Sequence, residues 1–198
     1  MCATVICMVA LLDASSQAVR HKNLLVSFGA GTGQLNLFSD RKDLADLSVP
    51  TGALRFSVGY ALSGKWSLGI HYDRIGSTYR GKGVERSHMT TYLIDGCYRP
   101  WVGAKAALEC HLGLGPTLAS MTPTGGRLPY TASGSAIAVG VRYLHLLSGT
   151  VGAFAALDHA YTSSNALNLN GGLVNPDASV SRIQWNSQRI TLGLLARF

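Results

Sequence analysis

Charge is scarce in this chain: only 14% of its 198 residues are Asp, Glu, Lys or Arg, while 47% are hydrophobic. That balance is too apolar for a chain that stays unfolded in water. Long apolar runs are scarce as well. Nothing after residue 20 approaches the roughly 18 consecutive apolar residues of a transmembrane helix. An apolar chain without a spanning helix leaves the β solution, because only helices and closed barrels satisfy every backbone group in lipid. Cysteine is sparse, at four. Cys2 and Cys7 lie in an apolar N-terminal stretch, which leaves Cys97 and Cys110, too few for a disulfide scaffold. Basic residues are lacking before Arg20. Met1 to Leu12 is otherwise almost wholly apolar, and Ser16-Gln17-Ala18 places small residues at the positions a signal peptidase reads. Residues 1–18 are therefore expected to be an export signal with a missing or truncated basic start, and residues 23–198 the folded domain.

What is abundant is glycine, at 23, together with a two-residue alternation of apolar and small or polar side chains, the mark of strands. Eight segments show it: Leu24–Gly31, Ala53–Leu62, Lys65–Ile75, His88–Arg99, Ala106–Pro116, Ser133–His145, Thr150–Tyr161 and Ser187–Phe198. The last is the most regular, with Ile190, Leu192, Leu194, Ala196 and Phe198 opposed to Arg189, Thr191, Gly193 and Arg197. Leu93 and Phe154 break the pattern by falling on the small-residue face. The links alternate too. Ser63-Gly64, Pro100–Lys105 and Leu146–Gly149 are short, whereas Thr32–Gly52, Gly76–Ser87, Thr117–Ala132 and Thr162–Asn186 are long. Short turns on one side and long loops on the other describe an eight-stranded antiparallel transmembrane up-and-down barrel.

A soluble barrel also alternates, with its apolar face inward. Three features favour the inverse arrangement. The polar face is built from Gly, Ala and Ser, which suits a narrow interior. It carries few Lys and Glu. Aromatics of the apolar face gather in two girdles, Trp66, Tyr98, Trp101, Tyr143 and Phe198 near the short turns, and Tyr72 and Tyr161 near the long loops. The interior then receives Arg55, Arg142, Arg189 and Arg197 against Asp73, Asp95, Glu109 and Asp158. Matched charges predict a filled lumen and no wide channel. Parity puts Cys97 inside and Cys110 outside, which disfavours a bond between them.

With this pattern the chain resembles the small eight-stranded outer-membrane barrels of the OmpA/OmpX type over residues 23–198. The final strand Gln188-Arg189-Ile190-Thr191-Leu192-Gly193-Leu194-Leu195-Ala196-Arg197-Phe198 carries the resemblance, together with the strand count and loop asymmetry. The resemblance implies a bacterial outer-membrane location and recognition of that strand by the barrel-assembly machinery. It does not choose among structural proteins, adhesins and lipid-modifying enzymes. Net charge is +7, and with no basic helix or nucleic-acid motif the expected partners are membrane lipids and lipopolysaccharide phosphates rather than nucleic acid. A monomer is expected.

Candidate chemistry is thin. Asp158-His159-Ala160-Tyr161-Thr162-Ser163-Ser164-Asn165 resembles the His-containing strand of outer-membrane lipid A deacylases, whose His-x-Ser pair shares one outward face. Here Tyr161 holds the second position, and Ser163 stands ~13 Å from His159 if the strand stays extended. His71, His111, Asp73 and Asp158 share the inward parity, but their spacing is not that of a zinc site. They are expected as hydrogen-bonded filling, with no metal and no cofactor. Gly29-Ala30-Gly31-Thr32-Gly33-Gln34 lacks the last Gly and the helix of a dinucleotide loop. The expected function is non-enzymatic, a structural or surface-interaction role of the long loops. A hydrolase using His159 with Ser163 or Ser164 is the alternative, and a narrow selective channel the third.

Overall fold

The computed structural model describes residues 23–39, 47–77, 84–123, 130–169, 172–173 and 183–198. The expected export signal lies outside the described residues. Among these residues nine strands form: β1 (Leu24–Ser39), β2 (Leu47–Ala61), β3 (Trp66–Ser77), β4 (Val84–Val102), β5 (Ala106–Pro123), β6 (Tyr130–Leu146), β7 (Val151–Leu169), the two-residue β8 (Gly172–Leu173) and β9 (Ile183–Arg197). Consecutive strands from β1 to β7 pair antiparallel, β9 pairs with β7, and β9 returns to β1, which closes an eight-stranded barrel. β8 pairs only with the far end of β7.

Three tight turns lie at one end of the barrel. In two of them a serine supplies the local chemistry. Ser63 Oγ accepts the backbone N–H of Lys65 and Trp66 at 3.2 and 3.1 Å, and Ser148 Oγ accepts those of Thr150 and Val151 at 3.3 and 3.0 Å. The third closes through Gly103 N donating to the Ala106 carbonyl at 2.8 Å. The barrel seam closes at the same end, where Leu24 N donates to the Phe198 carbonyl at 3.1 Å and Phe198 N to the Leu24 carbonyl at 2.9 Å. Short turns mark the periplasmic end of such a barrel.

The strands run further than their alternation. β1 continues to Ser39, β5 to Pro123 and β7 to Leu169, while β2, β4 and β6 start at Leu47, Val84 and Tyr130. Most of what reads as long loop is therefore strand, carried beyond the bilayer. The reason is a reversal of polarity. Over the lower barrel the outer face is apolar, with Phe28, Phe56, Ile70, Ile94, Leu112, Val139, Leu157 and Leu192 all exposed. Ile70 and Leu192 are each 64% exposed, an arrangement stable against lipid and not against water. Higher up, the outer face becomes Gln34, Ser48, Arg74, Arg86, Thr131, Ser133 and Gln188. There the inner face becomes apolar: Leu35, Val49, Ala53, Ile75, Met89, Ala119, Met121, Ala132 and Trp185 form one buried cluster.

The two apparent defects are inward-packed. Leu93 sits with Ala136, Ala138 and Ala160. Phe154 sits with Leu25, Leu144, Ala156 and Leu195 near the turn end. A Cβ at Gly29 or Gly193 would fall 2.9 or 2.5 Å from Cζ of the Phe154 ring. These glycines make room for the one large aromatic of the lower lumen. Cys97 is buried and Cys110 exposed, both as free thiols. Cys97 stands opposite His111, and Cys110 opposite Tyr98.

Candidate functional site

The charged lumen between the two apolar clusters is the densest concentration of chemistry among the described residues. Its upper half is a ring of alternating sign. Arg55 Nε lies 3.3 Å from Asp73 Oδ1 and Arg55 Nη2 2.7 Å from Asp158 Oδ2. Arg189 pairs with Asp73 through Nη2 and lies 3.8 Å from Asp158 Oδ2 through Nε. Strand pairing builds this ring directly, because Arg55 stands opposite Asp73 on β2 and β3, and Asp158 opposite Arg189 on β7 and β9. All four side chains are essentially excluded from solvent. A buried carboxylate without a partner would be costly, whereas here each is shared by two guanidiniums.

Two histidines hang beneath the ring. His111 Nε2 lies 2.5 Å from Asp158 Oδ1. His71 Nε2 lies 3.3 Å from Asp73 Oδ1, within ion-pair range but misaligned for a hydrogen bond. Their rings are 5.9 Å apart. Gly140 allows the His111–Asp158 contact, since a Cβ there would collide with both Nε2 and Oδ1. Asp95 lies below and between, 3.8 Å from His71 Nδ1 and 3.3 Å from His111 Nδ1.

Lower still is a second cluster. Glu109 is held by Arg99, at 2.7 Å from Nε, and by Arg142. The Arg142 guanidinium also stacks 5.3 Å above the Phe154 ring. The expected lumen network leaves out Arg99. It ends the expected strand His88–Arg99 with the same inward parity as Asp95 and Cys97, yet it is not among the expected lumen charges, and it is a buried counter-ion. Arg197, expected in the lumen network, is only part-buried and takes part in neither cluster. It ends β9 with its Nε buried and without a hydrogen bond.

The girdle residues lie on the outer face. Trp66 and Tyr98 pair at 4.6 Å near the turns, and Tyr72 meets Tyr92 at 5.4 Å near the upper boundary. Trp101, Tyr143, Tyr161 and Phe198 are exposed. Tyr92 and Tyr60 join this set, though the strand pattern alone does not single them out as interfacial. His159 also faces outward. β7 runs extended through it with unbroken pairing to Ser163, so those two side chains stand ~13 Å apart and form no nucleophile–base pair. The Ser164 side chain lies outside the described residues, as do residues 40–46 and 78–83 of the first two loops.

A closed antiparallel barrel of eight strands, apolar outside and ion-paired inside, defines an integral protein of the bacterial outer membrane. Solved structures of that class share the fold. Neisserial surface protein A superposes with a TM-score of 0.59 at 16% identity, over 88% of this chain and 97% of that one. A major outer membrane protein from Thermus thermophilus gives 0.52 at 16%, over 87% and 99%. Ail, the attachment invasion locus protein of Yersinia pestis, gives 0.51 at 11%, over 87% and 99%. At these identities the likeness is one of fold. No family model matches the chain, and no curated protein matches it.

Proposed function

We propose that this protein is a non-enzymatic outer-membrane barrel whose work is done by the strand ends and loops beyond the bilayer, where its basic outer face engages lipopolysaccharide phosphates. The closed lumen carries this reading. Among the described residues an apolar cluster above, two ion-pair clusters in the middle and Phe154 below fill the lumen, which favours a plug over an open channel. Just above Tyr72 and Tyr92, the outer wall of β3–β6 holds a cleft of about 450 Å³ lined by Arg74, His88, Thr90, Ser120 and Thr131. A guanidinium with hydroxyls over an aromatic rim is suited to a phosphorylated sugar headgroup at the membrane surface.

Purified protein in detergent micelles should bind phosphorylated lipid A more tightly than the dephosphorylated lipid. Arg74→Ala should weaken that binding about threefold to tenfold. Equal binding of both lipids would overturn the proposal. The hydrolase alternative gains no support from the separation of His159 and Ser163, and an unchanged acyl pattern in lipid A from cells with and without the protein would remove it.

A further inference from the structure

Three adjacent strands each aim one ligand-type side chain at the same point of the lumen: His71 on β3, Asp95 on β4 and His111 on β5. One donor atom from each lies within 4.8 Å of the others. The register explains the convergence. His71 stands opposite Leu93 and His111 opposite Cys97, so Asp95, midway between those two on the same face, reaches both by a diagonal step.

The protonation logic of this group is incomplete. A carboxylate only accepts, so His111 Nε2, 2.5 Å from Asp158, carries a hydrogen, while His71 hydrogen-bonds through neither of its ring nitrogens. In a neutral His111 imidazole Nδ1 is then a bare lone pair. Both Nδ1 atoms face the Asp95 carboxylate, and His71 Nδ1, His111 Nδ1 and Asp95 Oδ1 are all buried without a hydrogen bond. Acceptors turned on one another out of water repel unless a cation lies between them. One added proton would satisfy His111 alone and leave both ring nitrogens of His71 buried without a hydrogen bond. Two would set imidazoliums with ring centres 5.9 Å apart beside Arg55 and Arg189.

We propose that His71 Nδ1, His111 Nδ1 and the Asp95 carboxylate bind a divalent transition-metal ion of the zinc class. Zinc ligands at their usual bond lengths stand roughly 3.3 Å apart in a tetrahedron. His111 Nδ1 lies 3.3 Å from Asp95 Oδ1, which already fits, while His71 Nδ1 lies 3.8 Å from the other oxygen, Oδ2, so the His71 side has to draw in toward the other two donors, all within 4.8 Å of one another. Asp158 and Asp73 take the outer positions that orient metal-bound histidines. A cavity of about 30 Å³ beside Asp95, lined also by Ser57, Ser67 and Cys97, has room for one water next to that carboxylate. The ion would tie β3, β4 and β5 together and, through the Asp–Arg ring, brace β2, β7 and β9. With apolar packing above and the Glu109 cluster below, it enters while the barrel folds.

The untagged protein, folded from urea into detergent micelles with zinc and then dialysed, should retain one zinc per chain by elemental analysis. Asp95→Asn and His111→Gln should each retain less than a tenth of that, while heat-modifiable gel migration reports that they fold. X-ray absorption of the zinc-loaded wild-type protein should show two imidazole nitrogens and a carboxylate oxygen, a reading that stands even where a variant fails to fold. No bound zinc, full retention in both folded variants, or a first shell without imidazole would overturn the proposal.

Discussion

Two lengths of the same tube solve opposite problems. Within the bilayer the barrel turns Ile70, Ile94 and Leu192 outward and seals Arg55, Asp73, Asp158 and Arg189 inside. Above it, the same eight strands turn Gln34, Arg74 and Gln188 outward and pack Leu35, Ile75, Met89 and Trp185 inside. The upper length is built like a water-soluble barrel and the lower like its inverse. What changes is the solvent around the strands rather than the backbone. Apolar packing holds the upper interior at little specificity of direction, whereas the lower interior is held by directional pairs that fix which strands sit opposite.

That contrast can be broken from its strongest point. Asp158→Ala would leave Arg55 and Arg189 to share Asp73 alone and take from His111 its hydrogen-bond partner, and should cost about 3–5 kcal/mol, read by urea unfolding in micelles through tryptophan fluorescence. Ile75→Ala in the upper cluster should cost somewhat less, about 2–4 kcal/mol, by the same assay. If Asp158→Ala proved the milder of the two, the lower lumen would not be the more tightly held half. The outer face offers the finest test. Leu192→Arg, against lipid, should cost about 2–4 kcal/mol, and Gln188→Arg, two residue pairs higher on the same face of β9, about 0–1 kcal/mol. Similar costs at both positions would mean that the polarity reversal does not mark the membrane boundary.

The reversal also explains which parts of the fold were legible from sequence. Strand count, order and facing follow from alternation, and residue after residue from Leu54 to Tyr72 lies where parity puts it. The strand ends do not follow, because alternation is read as apolar against polar and that contrast fades where the two faces exchange character. Thus β1 reads as ending at Gly31, although its backbone continues through Leu35 to Ser39. Arg99 shares the inward parity of Asp95 and Cys97 and was legible, but its place at the strand's end left it out of the expected charge network. The nearness of His71, Asp95 and His111 is a property of stagger between strands, and no spacing along the chain encodes it.

The seam between β1 and β9 has a consequence in time. β9 is the last strand of the barrel to be made, and it is the one that pairs with both the first and the seventh. Until it is in place, β1 and β7 each present an open edge ready to pair with another chain. Closure therefore joins segments separated by almost the whole domain and comes after every other pairing is available. A chain short of β9 therefore carries two open edges at once, and a single late pairing step shuts both.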